Sequence, residues 1–193
     1  VSEAYLRMLY ESAWCSRALA EAEVESARQK LRMEAMEKVK ANFQKANLPV
    51  PPFSPPEAPL AGVPLQPSEK AARDQYAALI AVAREPIARE AALAARARFE
   101  LAEVLAVRNE NDAALEQLTA ALEAGPPAEL ADRIRLRMAA CLLAKKELKT
   151  ALVQAQAVMK NPASLVLAEA RLLIGEIHVE GKEWPQAIEQ LTP

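Results

Sequence analysis

Four windows of fourteen residues can be laid beneath one another in this chain, and that alignment constrains the fold more than any other feature. They read WCSRALAEAEVESA from Trp14, LAEVLAVRNENDAA from Leu101, MAACLLAKKELKTA from Met138 and IGEIHVEGKEWPQA from Ile174. The first position is large and apolar each time. The second is small: Cys15, Ala102, Ala139, Gly175. The last is alanine: Ala27, Ala114, Ala151, Ala187, followed four residues on by Leu31, Leu118, Ala155 and Leu191. Small residues on two successive helices let them pack antiparallel at close range, while larger residues one turn away fill the space between neighbouring pairs. The breaks agree. Asn109 and Asn111 flank one turn, Gly181 precedes another, and Trp184-Pro185 opens a helix where the missing proline N–H costs least. Gly125-Pro126-Pro127 and Asn161-Pro162 stop helices between windows.

Composition supports an all-α reading. Alanine is roughly a fifth of the chain, well above ordinary usage. Hydrophobic residues make up 52% but aromatics only 4%, so a core must come from Ala, Leu, Val and Ile. Four glycines in 193 residues argue against a glycine-turned β-protein. The net charge of −2, from 24 basic and 26 acidic residues, offers no basic stripe for nucleic acid. No stretch approaches the ~20 apolar residues of a membrane span, and no secretory signal is present. A chain that opens on Val1 is expected to be a fragment or a mature form. Cys15 and Cys141 both fall on helix faces and read as buried small hydrophobes, with a disulfide between them left open.

Residues 1–46 read as a first helix pair with an elongated second helix. From Glu21 to Ala46 the pattern is helical and highly charged, with a narrow apolar line at Val24, Ala27, Leu31, Ala35 and Val39. Residues 47–67 hold eight prolines from Pro49 to Pro67 and predict an extended, polyproline-like segment. Ser68 can cap a further helix with Ala72, Tyr76 and Leu79 on its apolar face. A helix of 26 residues spans ~39 Å, and twenty polyproline residues reach ~60 Å. The tract is therefore long enough to run back along the helix, packing Phe53, Leu60, Val63 and Leu65 on it. A disordered linker is the rival reading of the same residues.

Nothing in the chain reads as catalytic. The lone histidine, His178, falls where Leu105 and Leu142 stand in other windows and reads as a packed or edge-satisfied side chain. Gly62, Gly125, Gly175 and Gly181 are isolated, so no phosphate loop exists. No metal, cofactor or nucleophile set is expected. Arg133, Arg135 and Arg137, with Arg96, Arg98 and Arg171, read as solvated or salt-bridged residues, or as the lining of an acidic-peptide groove.

The windows resemble the tetratricopeptide repeat. Ile174-Gly175, Gly181, Trp184 and Ala187 make the nearest match; Leu101-Ala102, Leu105, Ala114, Leu118, Ala121 and Pro126 the next. Starts at 101, 138 and 174 give periods of 37 and 36, against ~34 for that repeat. Asn111 and Leu148 stand where its second helix usually opens on an aromatic. The resemblance implies a right-handed superhelical stack of antiparallel helix pairs, an α-solenoid over 68–193, with the long helix and proline tract as an insertion. Its first helices would line a concave, partner-binding face. By helical spacing that face would hold Arg96, Phe99, Glu103 and Ala106; then Arg133, Leu136, Ala140 and Leu143; then Glu169, Leu172, Glu176 and Val179. The last repeat is expected to be cut short, in a longer protein or against another chain. The resemblance thus implies a non-enzymatic scaffold that binds a protein or peptide. A self-assembling homo-oligomeric subunit and a recruiting domain of a larger enzyme are the alternatives. Ala-rich bacterial proteins that look like this are often parts of cell-envelope assemblies; cytoplasm and periplasm both stay open.

Overall fold

A computed structural model of the chain describes residues 3–52, 58–83 and 88–192, with only the backbone of 88–90. The described residues are all-α, with eight α-helices and no strand. They are α1 (Glu3–Lys45), α2 (Pro67–Val82), α3 (Ala88–Val107), α4 (Asn111–Glu123), α5 (Ala128–Ala144), α6 (Leu148–Met159), α7 (Leu167–Glu180) and α8 (Trp184–Leu191). Two compact units divide the chain. One comprises residues 1–10 with 75–193, and the other residues 11–74.

In the larger unit α3 to α8 pack in sequence order. Each touches the next, and α5 also touches α3 and α7. The turns that join α3 to α4, α5 to α6 and α7 to α8 are copies of one another. Asn109, Lys146 and Lys182 take positive φ (60°, 64° and 59°) at the same window position. Each is followed by a residue whose N–H reaches back five positions: Glu110 to the Leu105 carbonyl, Glu147 to Leu142 and Glu183 to His178. This is a Schellman cap, which satisfies the last carbonyls of the first helix and reverses the chain. Gly181 does not take the left-handed position; it sits one residue earlier at φ −74°, and Lys182 takes it.

The window positions explain the core. Ala102 and Ala139 are fully buried, as are Ala114, Leu118, Ala151 and Ala155. One apolar cluster joins α3, α4 and α5 around Phe99, Leu118, Ile134 and Cys141. A second joins α5, α6 and α7 around Leu142, Ala155, Ile174 and Ile177. Burying a side chain the size of Leu118 or Ile134 stabilises by about 1.5–3 kcal/mol. Asn161, read from the sequence as a helix stop, also ties the α6–α7 connection down. Its amide donates to the buried Asp132 carboxylate at 2.6 Å, and its oxygen accepts from the Ala163 N–H.

The helix pair expected over 1–46 is not formed; α1 runs unbroken for 43 residues. Its ninth window position is Ala22, flanked by Glu21 and Glu23, and none of these stops a helix. The first window therefore never turns, and Trp14 and Cys15 are exposed rather than packed. What α1 has instead is a stripe with alternating spacings of four and three. Leu6, Ala13 and Ala20 are buried, and Tyr10, Arg17, Val24, Ala27 and Leu31 half-buried. After Leu31 the half-buried line shifts by one residue to Arg32, Met36, Val39 and Phe43; Val39 is on it as expected, while Ala35 is exposed.

Within the smaller unit the chain returns along α1. Asn47, at φ 52°, closes α1 with the same cap found in the repeats. The Arg28 Nε then donates to the Ala58 carbonyl at 3.1 Å. The Ser68 N–H and hydroxyl both donate to the Glu23 carboxylate, at 3.0 and 2.7 Å. Ser68 is therefore not the cap of α2; Glu23, brought from α1, accepts from its first turn, where a carboxylate is favoured. Of the residues expected to pack on the arm, Val63 is buried, Leu60 half-buried and Leu65 exposed, while Phe53 lies outside the described residues. A 3₁₀ turn at Leu60–Gly62 interrupts the extended segment, with Pro59 and Val63 extended on either side.

Candidate binding groove

The first helices of the three repeats, α3, α5 and α7, share a face in the larger unit. A groove of ≈ 320 Å³ opens there. From α3 it takes Phe99 and Glu103; from α5, Arg133, Leu136, Arg137 and Ala140; from α7, Glu169, Leu172 and Glu176. Spacings of three and four along each helix put these residues on one side. Of the sequence-predicted site residues, Phe99, Glu103, Arg133, Leu136, Ala140, Leu172 and Glu176 all meet here. Arg96 does not: it is exposed and outside the lining. Ala106, Leu143 and Val179 also lie outside it. The lining residues that sequence spacing did not pick are Arg137, Leu173 and Val166. Arg137 and Leu173 each neighbour a predicted position, and Val166 stands just before α7.

The floor and the walls differ in chemistry. Phe99 is almost wholly buried, so it shapes the floor more than it offers surface. Leu172, at 53% exposure, is the most open apolar side chain in the groove, with Leu136 half-buried beside it. The Arg133 guanidinium lies 4.9 Å from the Phe99 ring centroid, an attraction to the ring face. Arg137 forks onto Glu103, its second guanidinium N–H donating at 2.7 Å. That bidentate geometry holds both side chains against one another. Glu169 and Glu176 are exposed on α7.

The other arginines singled out from the sequence are placed elsewhere. Arg98 donates to the Gln117 side chain at 2.9 Å, and Arg135 approaches Asp132 at 3.9 Å. Neither lines the groove, whereas Arg133 and Arg137 of the same set do. His178 sets its Nδ1 2.6 Å from a Glu183 carboxylate oxygen across the α7–α8 turn. Among the described residues no three His, Cys, Asp or Glu are grouped to hold a metal, and no helix is long and apolar enough to cross a membrane.

Cys141 and Lys145 titrate away from their ordinary ranges. Burial pushes the Cys141 thiol up, partly offset by the nearby Arg137 charge. Lys145 is held above the usual lysine range by hydrogen bonds to Asp112 and Glu147, at 2.6 and 2.8 Å. That lysine links the start of α4 to the α5–α6 turn. No protein-family model matches the chain, and no curated protein matches it.

Proposed function

We propose that this chain is a non-enzymatic interaction scaffold of the tetratricopeptide type, whose repeat stack holds a protein or peptide segment against α3, α5 and α7. One observation carries the reading: three successive repeats converge apolar side chains and charges of both signs on one open groove. Such a mixed lining suits a polypeptide, which offers apolar side chains and backbone hydrogen-bonding groups together. The copied turns at Asn109, Lys146 and Lys182 support the repeat architecture behind it.

Leu172→Glu is the variant to make, because Leu172 is exposed and the core does not depend on it. Proteins recovered from the native source by the wild-type chain should be lost by this variant, with the far-ultraviolet dichroism unchanged. Equal recovery by both would remove the groove as the binding surface. Phe99→Ala is a poor test by comparison. Truncating so buried a ring costs about 3–5 kcal/mol of stability, and lost binding would then report lost fold.

A second reading rests on α8. Trp184, Ile188 and Leu191 form a stripe of exposed apolar side chains along α8, at spacings of four and three. That stripe supports self-association through the last helix. Sedimentation of Ile188→Glu beside the wild type separates the two: a mass that falls only in the variant assigns assembly to α8.

A further inference from the structure

The charges in the groove are not evenly spent. Glu103 and Arg137 are joined through both carboxylate oxygens, so each offsets the other. Arg133 is laid over Phe99. Glu169 and Glu176 are exposed, and among the described residues neither takes part in an ion pair or hydrogen bond. Leu172 stands between them on the same face of α7. The α7 wall is therefore an apolar side chain flanked by two carboxylates.

Spacing limits what can meet that wall. Seven residues of α-helix separate Glu169 from Glu176 by about 10.5 Å along the axis. In a polyproline-type chain residues i and i+3 point the same way, ~9.3 Å apart. A helical ligand could match the distance too, at i and i+7. Either backbone brings two side chains to about the spacing of the two carboxylates.

We propose that the groove takes a peptide segment that sets two basic side chains about 10 Å apart on Glu169 and Glu176, with an apolar residue between them on Leu172 and Leu136. The Arg133 guanidinium supplies donors for the carbonyls of the bound segment. This rests on the groove-binding reading above and sets the polarity of its partner: basic, not acidic.

The test uses three synthetic peptides against the full chain, followed by ¹H–¹⁵N resonances. The first is acetyl-Gly-Ser-Lys-Leu-Pro-Lys-Ser-Gly-amide; the others carry glutamate or glutamine in place of both lysines. The basic peptide should shift resonances of α5 and α7 and bind most tightly. Glu169→Gln with Glu176→Gln should weaken it roughly 2- to 30-fold, as two exposed ion pairs would, and raised salt should do likewise. Both residues are exposed, so the variant should fold as the wild type does. Equal or tighter binding of the acidic peptide at the same resonances would overturn the proposed polarity and leave a peptide groove standing. Basic-peptide binding that ignores the double substitution would overturn it as well. If none of the three peptides moves groove resonances, the polarity and the groove reading fail together.

Discussion

Lysine is a costly occupant of the left-handed region, yet Lys146 and Lys182 both take it, at φ 64° and 59°. A side chain with a Cβ is strained there, while glycine is not. Lys146→Gly and Lys182→Gly should therefore each raise stability by about 0.5–1 kcal/mol in urea denaturation, despite the entropy that glycine adds to the unfolded chain. Gly181→Ala should be neutral or slightly stabilising, since Gly181 has φ −74° and an added Cβ meets nothing nearer than 3.5 Å. A large loss in Gly181→Ala would contradict this placement. Gly181 precedes the turn, as the sequence indicates, and the left-handed backbone falls on Lys182 after it, because that demand falls on whichever residue the cap geometry selects. The two cysteines differ for a similar reason. Cys15 is exposed and Cys141 buried, so a thiol reagent at neutral pH should label one site at once and the second only on unfolding. The sign of the pH effect follows. Burial raises the Cys141 pKa in the fold, so its contribution to stability is present below the unfolded value of about 8.5. That contribution is lost as pH climbs through the folded value. Urea titrations between pH 8 and 10 should show stability falling in the wild type and falling less in Cys141→Ala.

At the scale of elements, the small window position does what the repeat pattern requires, and Gly175 shows it most sharply. A Cβ there would come within 2.5 Å of the Leu191 Cδ2 and 2.6 Å of its Cγ, so α7 and α8 approach through that gap. Gly175→Ala trades a helix-propensity gain of about 1 kcal/mol against displacement of Leu191. We expect a net loss of about 1 kcal/mol in the wild type and a gain of about 0.5–1 kcal/mol in a Leu191→Ala background. The thermal denaturation cycle reads this directly: a coupling energy near zero would mean the two residues do not meet. Where the pattern lacked a break, it misled. The Trp14 window matches the others at its first, second and last positions, but Ala22 stands where the others place Asn109, Lys146 and Lys182. Apolar spacing alone does not distinguish one helix from two, because both share the 3.6-residue period.

Across the larger unit, α5 is packed on both sides along the chain, against α4 and α6 and also α3 and α7, whereas α8 has only eight residues and packs on α7. Stability should be graded accordingly, since such arrays sum nearest-neighbour terms. Amide exchange should be slowest in α5 and fastest in α8, with Ile188→Glu leaving the protection of α5 unchanged. Uniform protection from α3 to α8 would mean that the unit opens only as a whole. The sequence by itself determined that α3 to α8 are helical, where most of them turn, and the middle of the face that α3, α5 and α7 share, though not its ends at Arg96, Ala106, Leu143 and Val179. These follow from local causes: alanine-rich helix propensity, a 3.6-residue period, and Gly, Pro or Asn at every break but the α5–α6 turn. Only the tertiary structure decided that Glu23 receives Ser68 from 45 residues away and that Glu103 is matched by Arg137. It also left Glu169 and Glu176 facing an open groove. Those outcomes depend on which charges meet across helices, and helical spacing says nothing of a partner that lies on another element.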